Sequence, residues 1–375
     1  MNPSFRLGRL FGIEIGFNWS LVFIFALVTW TLATNVLPVD APGYAPLLYW
    51  FTAAIGAVLF YVCLLAHELS HSLVARRHGV KVTGITLWLF GGVSQLEGEP
   101  STARSEALIA GVGPLTSFGV AVVALGVAYV TQGLNALISD LFSYLTVVNI
   151  ALGLFNLVPA FPLDGGRLLS SFLWWRSGSR RQGVHNAVRI GRVFAFLMIG
   201  AGVLELFFGA VVNGIWIVFL GWFLLSAASA EEAGSNARTL LRSVPVSAAM
   251  TSPVVTLPDW VTVEQFLESV APNHSFTTYP IHEQSGKLTG VVRLSDLVRI
   301  PPAERARKHL IDVARPITDV PVTSPREDLS ALIQRIGAGL NQRVLVFDNG
   351  TLVGILSPAD VARIMTVRQA AADRA

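Results

Sequence analysis

LLAHELSHSL, residues 64–73, sets two histidines and a glutamate near the end of a long apolar run. On an α-helix, residues i and i+4 lie one above the other, so His67 and His71 leave from the same face and can ligate one ion, with Glu68 adjacent. In a His-Glu-x-x-His pattern the two imidazoles bind zinc, and the glutamate takes a proton from water that the zinc acidifies. Three fixed positions in five residues recur by chance in roughly one chain in a hundred of this length, so the location has to decide. Ionisable groups inside a bilayer cost on the order of 2.5–3.5 kcal/mol each by insertion scales, and persist where they face a partner or an aqueous cavity. A divalent ion and its water meet that requirement. A histidine merely hydrogen-bonded in a core does not account for the spacing.

The surrounding chain reads as membrane protein. Of 375 residues, 53% are hydrophobic and only 14% charged, and the mean hydropathy is +0.58, outside the balance of a soluble globular protein. Apolar windows near 17–37, 46–75, 106–131, 137–158, 190–209 and 213–230 each approach or exceed the roughly 20 residues that span a bilayer, which predicts six transmembrane helices. Loops 38–45, 132–136 and 210–212 carry no Lys or Arg, whereas Arg6, Arg9, Arg76, Arg77, Lys81, Arg167, Arg176, Arg180 and Arg181 fall on the opposite side. By the positive-inside rule both chain ends face the cytoplasm of a multi-pass cell-membrane protein, with AHELSH in or near the cytoplasmic half. The N-terminal apolar stretch exceeds a signal-peptide core, so no cleavable signal is expected. A net charge of +3, placed at segment ends, reports orientation rather than direct nucleic-acid binding. The single cysteine, Cys63, excludes an intramolecular disulfide and a cysteine-based zinc cluster.

Two stretches break the helical pattern. VKVTGITLWLFGGVSQLEGE, residues 80–99, is β-branched and aromatic around Gly91-Gly92 and predicts a membrane-associated β-hairpin. Such backbone survives at membrane depth only beside protein or a water-filled cavity. NLVPAFPLDGGR, residues 156–167, holds prolines and glycines that interrupt a helix after the fourth crossing. A catalytic zinc site needs a third protein ligand. The candidates are Asp164, His78, Glu97, Glu99 and Asp140, and Asp164, in this Pro/Gly-shaped turn on the cytoplasmic side, is the best placed.

Beyond a polar linker at 231–243 the tail repeats itself. VVTLPDWVTVEQFLESV (254–270) resembles PVTSPREDLSALIQRI (321–336), and GVVRLSDLV (290–298) resembles GILSPADVA (354–362). Two α+β units, 244–300 and 301–375, would pack together to bury faces neither hides alone. The membrane domain is then 1–230.

HELSH in the second crossing together with NLVPAFPLDGG after the fourth resembles the site-2 protease family of intramembrane zinc metalloproteases. The branch in question is bacterial and archaeal, with a C-terminal pair of cystathionine-β-synthase (CBS) domains. The opening GRLFGIEIGFNWS, the LFGGV hairpin and the AGVGPLTS stretch extend the resemblance over nearly the whole chain. It implies one catalytic zinc held by His67, His71 and Asp164, Glu68 as general base, and Asn156 positioning substrate or stabilising the oxyanion. Gly91, Gly92, Asn156 and Pro159 are the expected substrate-binding residues, the hairpin clamping an unwound substrate as an added β-strand. Gly111, Gly113 and Pro114 read as close helix packing. The implied substrate is a single-span membrane protein such as an anti-sigma factor or a membrane-bound transcription factor. CBS pairs bind ATP, ADP or AMP through a G-h-h-T/S-x-x-D motif, matched by Ser357 and Asp360; the first copy keeps Asp296 but has Arg293 at the hydroxyl position. They also associate face to face, which implies a homodimer. Readings of another class are a CBS-regulated ion transporter and a catalytically idle metal-binding scaffold.

Overall fold

The computed structural model describes residues 4–88, 91–274, 276–336 and 343–372. Among the described residues, six helical spans are long and apolar enough to cross a membrane: Ser20–Asp40, Pro46–Arg77, Ala103–Thr131, Ala136–Asn156, Arg180–Phe207 and Val211–Leu241. The first is α1 (Ser20–Thr31), a π turn at Leu32–Val36 and α2 (Leu37–Asp40); Pro38, which has no N–H to donate, follows the wide turn directly. The others are α3, α4, α5, α7 and α8 in that order, with the short α6 (Asp164–Ser177) between α5 and α7. Two extend beyond the apolar windows. α7 begins ten residues early, at Arg180, and α8 continues to Leu241, so most of the expected linker is helix. There Glu232 joins the two helices, 2.9 Å from His185 Nδ1 and 2.6 Å from Arg192 Nη2.

At 32 residues, α3 is about 48 Å long, and His67 lies about 32 Å along it, near where a hydrocarbon layer of about 30 Å would end. Arg76 and Arg77 in its last turn complement the helix dipole. His78 closes the helix through a 2.9 Å contact from Nδ1 to the Val74 carbonyl.

The hairpin is half of a four-stranded sheet, ordered β1-β2-β3-β4. β1 (Phe5–Leu10) and β2 (Ile13–Phe17) come from the N-terminal segment, while β3 (Lys81–Trp88) and β4 (Gly91–Glu97) form the expected hairpin. Phe11 and Gly12 take positive φ of 52° and 78°, the geometry of a two-residue turn between twisted strands. β2 pairs in parallel with β3, Ile15 opposite Ile85 and Phe17 opposite Leu87. Ile13, Ile15, Ile85 and Leu87 are buried with Leu64 and Ala75 of α3 and Ile109 of α4. This apolar contact lays the sheet along the helix that carries HELSH, and it leaves β4 at the sheet edge.

Asp164 opens α6 after the turn from Leu157 to Leu163. A Cβ at Gly165 would stand 2.3 Å from the Leu157 carbonyl oxygen and 2.4 Å from that of Val158, and one at Gly166 would stand 2.7 Å from backbone of Ala160. Only a chain without side chains at both positions folds back this tightly.

Residues 237–375 form a separate compact unit with two α+β halves. One sheet runs β5-β6-β7-β8 and the other β11-β10-β9, built from β5 (Leu257–Pro258), β6 (Thr278–His282), β7 (Leu288–Arg293), β8 (Arg315–Pro316), β9 (Val322–Thr323), β10 (Val344–Asp348) and β11 (Thr351–Leu356). Each half has its own apolar core. The core of the second half also takes Leu241, Val244, Val246 and Ala249. The segment that leads into the first half therefore completes the second.

Gly165→Ala forces a methyl against two carbonyls. Thermal unfolding in detergent should show a loss of about 1–3 kcal/mol together with a lower metal content; an unchanged transition would mean the turn is looser than described.

Candidate metal centre

His67, His71 and Asp164 converge. Their three ligand atoms all lie within 4.8 Å of one another: Asp164 Oδ2 is 3.3 Å from His67 Nε2 and 3.2 Å from His71 Nε2, and the two Nε2 atoms are 3.1 Å apart. The opposite ring nitrogens are occupied. His71 Nδ1 lies 2.6 Å from the Ile109 carbonyl oxygen, and His67 Nδ1 lies 2.9 Å from Ser117 Oγ. A carbonyl can only accept, so His71 donates from Nδ1, and in the neutral ring its Nε2 presents a lone pair. Asp164 Oδ2 is buried and receives no properly directed hydrogen bond from either imidazole. Two imidazole nitrogens and a carboxylate oxygen packed this closely in a buried space suit a divalent cation. Two nitrogens and one oxygen, with the outer ring nitrogens anchored, form the ligand set of a catalytic zinc with one position open.

Glu68 sits beside this cluster, held from the sheet. Ser94 Oγ donates to Glu68 Oε2 at 3.3 Å and lies 3.1 Å from the buried Ser72 Oγ. A Cβ at Gly92 would stand 2.2 Å from Glu68 Cγ, so β4 packs directly on the glutamate. A substitution at Gly92 therefore perturbs the base itself and cannot isolate any role of the strand in holding substrate. Gly113 has the same relation to the ligands: its Cβ would meet His71 Nε2 at 2.1 Å and His67 Nε2 at 2.7 Å. The sequence suggested helix packing for Gly113; what it packs against is the pair of imidazoles. Ser94, Ser117 and the Ile109 carbonyl carried no signal, because only the tertiary fold brings them to the helix.

The remaining candidates lie elsewhere. His78 caps α3, and Glu99 pairs with Arg180 at 2.5 Å. Asp140 is half-buried in α5, near Asp40. The Glu97 side chain lies outside the described residues. Gly91, with Gly92, starts β4, paired with Trp88. Asn156 is the half-buried last residue of α5, and its Nδ2 donates to the Leu152 carbonyl at 3.0 Å. Pro159 is exposed in the following turn.

In the C-terminal unit a cavity of about 290 Å³ is lined by Thr251, Phe276, Arg343, Ser357 and Asp360 among others, close to the size range of small-molecule sites. Asp360 Oδ2 accepts from the Ser357 backbone N–H at 2.9 Å and hydroxyl at 2.6 Å, while Thr251 Oγ1 donates to Oδ1 at 3.0 Å. Asp296 accepts from Ser295 at 3.3 Å and is absent from this lining.

A His-His-Asp centre with an adjacent carboxylate, set in a bundle of membrane-length helices, defines an intramembrane metallopeptidase. The chain belongs to the site-2 proteases, peptidase family M50, whose family model matches residues 55–137 and 127–199; the CBS domain model matches residues 311–366. "Putative zinc metalloprotease Rip3" of Mycobacterium tuberculosis is 40% identical over 370 residues, 98% of this chain and 94% of the relative. "Zinc metalloprotease MJ0392" of Methanocaldococcus jannaschii is 29% identical over 98% of this chain and 97% of its own length. The solved "Site-2 Protease from Methanocaldococcus jannaschii" aligns with a TM-score of 0.41 at 29% identity, over 60% of this chain and 94% of that one.

Gly113→Ala should leave the protein folded in detergent but with less than one metal ion per chain. Ser94→Ala should keep the full metal content and lower turnover about 10- to 100-fold. Metal analysis beside a peptide-cleavage assay checks both; full activity in Ser94→Ala would remove the serine from the account.

Proposed function

We propose that the protein is a zinc endopeptidase that hydrolyses a peptide bond in or near a transmembrane segment of a single-span membrane protein. Such a substrate would be an anti-sigma factor or a membrane-bound transcription factor. The observation that carries this reading is the convergence of three acceptor atoms beside Glu68 on an otherwise apolar helix. His67, His71 and Asp164 would hold the ion. When bound, zinc polarises the scissile carbonyl and acidifies water. Glu68 takes up a proton at its carboxylate, oriented by Ser94, and returns it to the leaving nitrogen. Asn156, with one N–H committed to Leu152, has a second for the developing oxyanion.

A peptide in a transmembrane helix must unwind before attack, and its exposed backbone groups then need partners. β4 is an edge strand whose Gly91-Gly92 end touches the base, and an extended substrate adding to that edge gains those partners. The sheet lies in this reading against or within the membrane, and both chain ends face the cytoplasm, so that water reaches the centre from that side. The first half of the C-terminal unit is a diverged CBS copy, the two halves forming a pair through which two chains associate. Adenine nucleotide occupies the Ser357–Asp360 cavity and regulates cleavage by favouring one arrangement of the chain over another.

Glu68→Gln is the test. The variant should keep its zinc yet let an uncut single-span protein accumulate in membranes that process it with the wild type. Metal-dependent ion flux without any accumulated precursor would instead mark a transporter.

A further inference from the structure

The internal repeat relates two cavities of the C-terminal unit residue by residue. Aligning 254 with 321 and 290 with 354 matches Pro253 to Val320, Ile355 to Val291 and Ser357 to Arg293. The first member of each pair lines the larger cavity, and the second lines a cavity of only about 20 Å³. That volume is far too small for a nucleoside. Its chemistry differs as well: Arg293, Arg315 and Arg343 surround it, with Asp319 the one acidic residue of the lining. Among the described residues, the Arg293 and Arg315 side chains make no hydrogen bond or ion pair, while Arg343 donates to Thr277 Oγ1. Burial and the neighbouring Arg293 both disfavour the charge on Arg343, opposed by Asp360. Three guanidiniums against one carboxylate in the lining leave an excess of positive charge that calls for an anion, and guanidinium forks suit phosphate. Arg343 and Thr278 line both cavities, so an anion on the arginines and a nucleoside beside Ser357 and Asp360 are next to each other.

Building on the nucleotide reading above, we propose that the unit binds one nucleoside polyphosphate, its base and ribose in the larger cavity and its phosphate tail passing Arg343 onto Arg293 and Arg315. The substitution of arginine for the small hydroxyl closes the second half-site to a nucleoside and turns it into the phosphate end of the first. The regulator is thereby read by its phosphate chain: a triphosphate reaches all three arginines, and a monophosphate reaches Arg343 alone.

Calorimetric titration of the full chain in detergent with ATP, AMP and adenosine tests this. One ATP per chain should bind at least about tenfold tighter than AMP, the worth of one charge-assisted hydrogen bond or more. Arg293→Ser should bring ATP close to AMP while leaving adenosine binding unchanged. Arg315→Ser, at an exposed position that tolerates substitution, should move ATP in the same direction. Equal affinity for ATP and AMP, two ATP per chain, or an ATP preference that survives both substitutions overturns the proposal and leaves nucleotide binding standing. If none of the three compounds binds, the nucleotide reading itself fails.

Discussion

The membrane domain is organised around a buried cluster in which two imidazole Nε2 lone pairs and a carboxylate meet, an electrostatic conflict that a divalent cation resolves. Two imidazole Nε2 atoms and one carboxylate oxygen lie about 3 Å apart in a buried space, with the outer nitrogens anchored to Ile109 and Ser117. Mutual repulsion among lone pairs at this range would drive the helices apart in a low-dielectric interior. The neighbouring backbone is nevertheless shaped to keep them together: Gly113 lets α4 close on the imidazoles, and Gly165 with Gly166 folds α6 back until Asp164 arrives. The same closeness on the third side presses Gly92 against Glu68. The centre is thus enclosed by helix, turn and sheet: α4 and β4 meet it through Gly113 and Gly92, and the turn delivers Asp164.

How much of this the sequence disclosed follows from which interactions are local. The i, i+4 spacing of His67 and His71 is a property of one helix, and the break at Pro159 to Gly166 is a property of one turn, so both could be read directly. Asp164 could be chosen from five candidates because it lies in that turn. Strands β1 and β2 gave a weaker signal: the alternation in IEIGF is short, and its partner β3 arrives in parallel about 70 residues later, a pairing that loop entropy hides from any local pattern. Ser94 and Gly113 were silent for the same reason. The ends of α7 and α8 were missed because they are amphipathic, carrying Arg180, Arg181, Glu231 and Glu232 in helices whose apolar stretches start or end elsewhere.

The tail teaches a related lesson about repeats. The alignment of its halves exposes the exchange of Ser357 for Arg293, but a local pattern does not say what that arginine faces. The fold adds what the repeat could not show: Arg315 of β8 and Arg343, just before β10, line the same small cavity. A repeat whose two copies differ at matched lining positions, Ser357 against Arg293 among them, gives two unlike cavities, one large and the other small and cationic.

One group has to reconcile the two imidazoles with the carboxylate. X-ray absorption at the zinc edge on the purified, detergent-solubilised chain measures it directly. The spectrum should show one zinc per chain with nitrogen and oxygen neighbours at about 2.0–2.2 Å, the outer-shell pattern of two imidazoles, and no sulfur. A protein purified without chelators that holds no zinc, or whose zinc has a sulfur neighbour or fewer than two imidazoles, would contradict it.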